Sequence, residues 1–340
     1  MMKLEAISRS GPASSVDAET VPVRVRDLTV RFGDGPKAVH AVNGVSFALQ
    51  QGEVLGILGE SGSGKSVMLR SLIGLLPEHA RTGGSVEVAG RSIFDMPRSD
   101  LRKLRGSRIA MIFQEPMTAF DPVFTIGRQI TETVMRHDGL DAAAASARAL
   151  ELLELVAIPS AKNRLRNYPY EMSGGMRQRA MIALALACRP SVLLADEPTT
   201  ALDVTVQIQI LLLLRRLQAE LGMAVVFVTH DIGVAVEISD RIGVMYAGRF
   251  VEEAPVETLI DANAHPYTRG LLASTVHGQR RGELLKTIPG APPNLADLPR
   301  GCPFSPRCDV AEERCRTEPP AHVSVAPDHH VRCIHAVPNA

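Results

Sequence analysis

Residues 54–66 read Val-Leu-Gly-Ile-Leu-Gly59-Glu-Ser61-Gly62-Ser-Gly64-Lys65-Ser66. The opening run is apolar and ends in glycine, the pattern of a strand buried on both faces of a sheet. The last part matches G-x-x-x-x-G-K-S, and the stretch that follows it, SVMLRSLIGLL, has helical periodicity. A strand that turns through glycines into a helix lets backbone N–H groups point inward and cradle phosphates at the helix N-terminus. On this reading Gly59, Ser61, Gly62 and Gly64 form the cradle. Lys65 places a point charge on the β- and γ-phosphates, and Ser66 offers a hydroxyl to Mg²⁺.

Working outward, two further apolar runs read as buried strands, SVLLADE (191–197) and MAVVFVTH (223–230). Asp196, at the end of the first, is placed to hold Mg²⁺ through water. Glu197, next to it, is the natural general base or polariser of an attacking water. Helical patterns lie over Asp141–Val156 and Val206–Leu221. Buried strands alternating with helices predict an α/β fold around a mostly parallel sheet. Nearer the N-terminus, VPVRVRDLTVRF (21–32) and AVNGVSFALQ (41–50) alternate apolar and polar residues and predict an added antiparallel layer.

The 340 residues suggest about two domains and at least one sizeable core. Lys plus Arg and Asp plus Glu both number 37, so the formal net charge is zero, which disfavours a chain built to coat nucleic acid. Nine Phe, four Tyr and no Trp leave little material for base stacking. The longest apolar run, Ala180–Cys188, stops at Arg189, far short of a membrane span. No apolar signal segment opens the chain, so a cytosolic protein is expected, with any membrane contact made through a partner. Residues 1–22 read as a flexible leader, 23–260 as a nucleotide-binding domain and 261–340 as an extension rich in Pro and Cys.

Between the phosphate-loop pattern and Asp196 lies Met172-Ser173-Gly174-Gly175-Met176-Arg177-Gln178. It resembles the signature motif of ATP-binding cassette (ABC) ATPases, with Met176 where glutamine is usual. Independently of the family, Ser173 precedes a helical stretch, so its hydroxyl and the helix dipole are placed to meet an anion. The resemblance implies that Ser173, Gly174 and Gly175 serve the γ-phosphate held by a second subunit, in trans. It also implies roles for Gln114 (Q-loop, sensing Mg²⁺ and water), His230 (switch histidine), Asp203 (coupling across the dimer) and Phe32 (stacking on adenine). For Phe32 the plainer reading is a core residue of an alternating strand. The strings 119–127, 196–206, 244–248 and 265–268 are similar to the oligopeptide/dipeptide importer branch.

The resemblance implies an ATPase with ATP and Mg²⁺ as its ligands, peripheral on the cytoplasmic face of the membrane. Its partners would be a second, similar ATPase, two permease subunits and a solute-binding protein, with peptides as cargo; nickel, glutathione or another small solute is the alternative. A soluble ABC ATPase of DNA repair or translation is disfavoured because no long insertion or second cassette is present. A non-hydrolysing binding module is disfavoured by the presence of Lys65, Asp196, Glu197 and His230 together. The stretch after Gln114 is the family's docking surface. Ile126, Ile130 and Val134 form an apolar stripe there that reads equally as docking face or as core.

Cys302, Cys308, Cys315 and Cys333 are spaced C-x5-C-x6-C-x17-C, without the usual zinc knuckle. Four thiolates suit zinc or an iron–sulfur cluster, and His329, His330 and His335 keep mixed zinc ligation open. The family resemblance implies a [4Fe-4S] cluster; zinc or unligated thiols are the alternatives. Cys188, on the apolar signature helix, reads as a small core residue.

Overall fold

The computed structural model describes residues 21–200, 202–274 and 287–336. Most of the leader expected over 1–22 lies outside them. The strands in chain order are β1 (Val23–Phe32), β2 (Val39–Leu49), β3 (Val54–Leu58), β4 (Ala80–Val88), β5 (Arg91–Ser92) and β6 (Ile109–Ile112). They continue with β7 (Val192–Asp196), β8 (Ala224–Thr229), β9 (Arg241–Tyr246), β10 (Arg249–Pro255), β11 (Val323–Ala326) and β12 (His329–Val331).

One sheet has the order β11-β12-β10-β9-β3-β8-β7-β6. Its centre is parallel: β3 lies between β8 and β9, β8 pairs with β7, and β7 with β6. Every residue of β3, β6, β7 and β8 is buried, as two-sided coverage of continuous apolar strands requires. The second sheet, β2-β1-β4-β5, is the antiparallel layer. Along β1 the buried positions are Val23 and Val25, then Leu28 and Val30, so the inward phase slips by one residue. A bulge absorbs the slip: the β1–β4 register shifts between Arg26 and Thr29, and Asp27 sits at φ +46°.

A helical layer packs on the other face, formed by Ile126–Asp138, Ala142–Leu155 and Gly174–Ala185. Ile126, Ile130 and Val134 point into this core and are wholly buried with Ala149, Leu152 and Leu153. The open choice for that stripe is therefore settled as core. The helix after the glycine loop is shorter than its periodicity suggests. It spans Lys65–Leu72 and is halted at Ile73, where Gly74 takes φ +66°. Among the described residues no helix is long and apolar enough to cross a membrane.

The C-terminal segment joins the main sheet instead of standing apart. β12 pairs with the outer side of β10, and β11 folds back on β12. His329 Nε2 lies 2.8 Å from Glu252 Oε1, and Glu252 also accepts the N–H groups of Ala264 and His265. The four cysteines line one cavity with His265, Phe304 and His335. The expected [4Fe-4S] cluster is nevertheless corrected: among the described residues no group of three or more His, Cys, Asp or Glu side chains is arranged to hold a metal ion. The zinc alternative draws on the same side chains and meets the same finding. Burial raises the Cys302 thiol to about 11 and pushes the Cys308 and Cys333 thiols upward.

Two outcomes follow. Ile130→Ala, in the isolated subunit, is expected to cost about 2–5 kcal/mol in denaturant unfolding, because it empties a packed core site; a docking-face residue would leave the melt unchanged. Cys302 in the folded chain at pH 8 is expected to react with iodoacetamide at least roughly tenfold more slowly than in urea. Peptide-resolved mass spectrometry reads the rates, and equal rates would contradict burial of the thiol.

Candidate active site

The parallel register brings the C-terminal ends of four strands together. Leu58 of β3 pairs with Thr229 of β8, Val228 of β8 with Asp196 of β7, and Ala195 of β7 with Ile112 of β6. The loops leaving these ends carry Gly59–Ser66, His230, Glu197 and Gln114. Open α/β sheets place ligands at this end of their strands.

In the glycine loop, Gly62 and Gly64 take φ +80° and +103°, conformations that side-chain-bearing residues avoid. A Cβ on Gly64 would lie 2.1 Å from the Ala41 carbonyl oxygen. The loop is thus pressed against β2 while Ser61 and Gly62 stay exposed. Lys65 is buried, and its Nζ donates to the carbonyls of Gly59 at 2.8 Å and Glu60 at 3.0 Å. Burial lowers its pKa, and the carboxylates of Glu197, Asp196 and Glu60 oppose that shift. Ser66 Oγ donates to Asp196 Oδ1 at 2.9 Å. Burial raises the Asp196 pKa, and the Ser66 hydrogen bond partly offsets it.

Glu197 gathers the remaining groups. Its Oε2 accepts from Thr200 Oγ1 at 3.0 Å and Gln114 Nε2 at 3.4 Å, and lies 3.0 Å from His230 Nδ1. Its Oε1 lies 3.9 Å from Lys65 Nζ. Glu197 itself has φ +46°, a left-handed conformation costly for a non-glycine residue, held by its N–H bond to the Val228 carbonyl. A carboxylate fixed by several donors beside a buried lysine can accept a hydrogen bond from a water and orient it. Thr200 was not singled out by sequence reading; its position three residues after Glu197, on the same turn, was the available signal.

The other sequence-selected residues lie in different surroundings. Ser173 caps the helix Gly174–Ala185, its Oγ accepting the Met176 N–H. A Cβ on Gly175 would meet Val206 Cγ1 at 2.9 Å, so the signature turn lies against the helix that Asp203 begins. Asp203 caps that helix by accepting the Val206 N–H at 3.0 Å. Met176 is half-buried against the helical core, an apolar use of its position. Phe32, at the end of β1, is half-buried with its ring 5.8 Å from His79. Cys188 is buried in the helical core, and burial raises its thiol to about 11.

Comparison with known proteins identifies the family. The family profile for ABC transporters matches residues 42–200, and that for the C-terminal region of oligopeptide/dipeptide transporters matches 251–315. The oligopeptide transport ATP-binding protein OppD of Escherichia coli (strain K12) is 46% identical over 316 residues, covering 90% of this chain and 94% of that protein. A probable peptide ABC transporter ATP-binding protein of Sinorhizobium fredii is 50% identical over 313 residues, covering 91% and 93%. Among solved structures, the ATP-binding cassette MJ0796, a dimer in a post-hydrolysis state with ADP and Pi, is 31% identical with a TM-score of 0.62, covering 69% of this chain and 98% of that one. The cbiO1 subunit of Clostridium perfringens, part of the transporter complex cbiONQ, is 27% identical with the same TM-score of 0.62, covering 72% and 93%. The OppD proteins are described as ATP-binding subunits and lend the iron–sulfur reading no support. The chain belongs to the ABC transporter ATP-binding proteins, in the branch of the oligopeptide/dipeptide transporters.

Proposed function

We propose that this ATPase powers uptake of di- and oligopeptides by closing over ATP with a second, non-identical ATPase subunit, beneath two permeases fed by a solute-binding protein. As an ABC importer ATPase it couples ATP hydrolysis to transport, works with membrane permease components and is peripheral on the cytoplasmic face of the membrane. The observation that carries the site assignment is the convergence of Gln114, Thr200 and His230 on one oxygen of Glu197, 3.9 Å from Lys65 through the other. The cargo reading rests on the match of 251–315 and on the relatives' names.

In this mechanism Gly59–Ser66 wraps the phosphates, Lys65 meets the β- and γ-phosphates and Phe32 supports the adenine. Ser66 and Asp196 are an all-oxygen pair suited to Mg²⁺, which when bound neutralises phosphate charge. Glu197 takes the proton of the attacking water, and His230 and Gln114 hold its carboxylate in place. Ser173, Gly174 and Gly175 act on the nucleotide of the partner, with Asp203 coupling the two sites. The dimeric form of MJ0796 supports this arrangement. ATP closes the pair because contacts across the dimer exist only in the closed state, and hydrolysis reverses the shift. We take residues 23–260 as the nucleotide-binding unit and 261–340 as the extension.

The permease-docking surface is assigned to exposed apolar residues after Gln114, namely Met117 (41% exposed) and Val123 (68%). They replace the buried Ile126 stripe in that role. The paired change Met117→Asp and Val123→Asp is expected to release the subunit from permease-containing membranes at moderate salt. Stability should change by less than about 0.5 kcal/mol per site, as for surface substitutions; retained sedimentation would reject the surface. Glu197→Gln is expected to lower hydrolysis by about 10²–10⁴-fold while ATP binding persists and a dimer accumulates. In reconstituted transporter, peptide-loaded binding protein should stimulate turnover; stimulation by nickel or glutathione instead would overturn the cargo assignment.

A further inference from the structure

The glycine loop is held from behind by the C-terminal segment. Arg307, on the turn Ser305–Arg307, is only 7% exposed and forks onto Glu60, the residue after Gly59. Its Nη1 donates to Glu60 Oε2 at 2.6 Å and its Nη2 to Oε1 at 3.0 Å. The same guanidinium donates through Nε to the Pro289 carbonyl at 2.8 Å and through Nη1 to the Tyr246 hydroxyl at 3.3 Å, which fixes its plane. The Glu60 N–H donates to the Tyr267 hydroxyl at 3.0 Å, and the Glu60 carbonyl accepts from Lys65 at 3.0 Å. Tyr246, Tyr267 and Phe304 pack ring against ring, with centroids 4.6–5.3 Å apart, behind this contact. Arg307 and Glu60 are 247 residues apart in the chain.

A carboxylate in a loop that cradles phosphates is a liability, because like charges in a partly desolvated site repel. The Glu60 side chain is close enough to Lys65 for its charge to act on that ammonium. A bidentate arginine both cancels the charge and fixes the direction of the carboxylate.

We propose that Arg307 is a positioning residue for ATP: by pairing with Glu60 it turns that carboxylate away from the phosphates and neutralises it, so that the C-terminal segment sets the affinity of the glycine loop for nucleotide. The proposal rests on the reading of Gly59–Ser66 as the phosphate loop. The test titrates the full-length chain with Mg-ATP, well below the melting temperature of each variant. Arg307→Ala is expected to weaken binding about tenfold, equivalent to 1.4 kcal/mol. Arg307→Lys, which keeps the charge but not the two-pronged contact, recovers only part of it. Adding Glu60→Gln to Arg307→Ala restores binding to within roughly threefold of the native chain, because the unpaired carboxylate is gone. Thermal melts of the same variants run alongside: a double variant that regains its melting temperature but not its affinity has lost only a structural contact, and overturns the proposal. Should Arg307→Ala fail to fold, Arg307→Gln takes its place with the same expectation. Unchanged affinity in the folded variant, or a double variant as weak as the single, overturns the proposal. Lys65→Ala separates the two readings: it should abolish Mg-ATP binding, and if it binds normally the phosphate-loop assignment fails whatever Arg307 does.

Discussion

The parallel register of β6, β7, β8 and β3 is the constraint on which the site depends. Each strand is short and wholly buried, so a slip along any one of them would change which backbone groups pair and where its C-terminal loop emerges. Because the register is held, Lys65, Asp196, Glu197 and His230 converge although they are spread over much of the chain. The left-handed backbone at Glu197 is the local cost of aiming that carboxylate at a point where three side chains meet it.

Electrostatics sets the second condition. Lys65 is a cation with little solvent, stabilised by two carbonyls and by the surrounding carboxylates. Burying such a charge is tolerable only when hydrogen bonds and opposite charge replace its water. In the proposed mechanism polyphosphate would satisfy the same need, with the lysine exchanging one set of oxygens for another. Acidic groups close by must then be used or neutralised. Asp196 is bound to Ser66, Glu197 to its three partners and Glu60 to Arg307.

What was legible in the sequence is what short-range pattern encodes. The glycine loop, the apolar runs of β3, β7 and β8, and the acids at the end of β7 follow from spacing within a dozen residues. The antiparallel layer was also legible, but the bulge at Asp27 was not, since a phase slip shows only once the partner strands are in place. The stripe Ile126, Ile130, Val134 looks the same whether it faces a partner or a core; the packing of three helices decides it. Four cysteines near the C-terminus suggest metal chemistry by composition, while ligation depends on three-dimensional arrangement. The Arg307–Glu60 pair joins residues too distant in the chain for any local pattern to couple them.

The hairpin β11–β12 has a consequence for solubility. Without β12, the backbone of β10 would present a row of unpaired N–H and C=O groups at the margin of the large sheet. Exposed strand margins are templates for adding further strands from other molecules. The hairpin occupies that margin with a very short strand, whose Arg332 N–H bonds the Val251 carbonyl just beyond it. The open margin passes instead to β11, which is only four residues long and so offers a shorter template than β10 would.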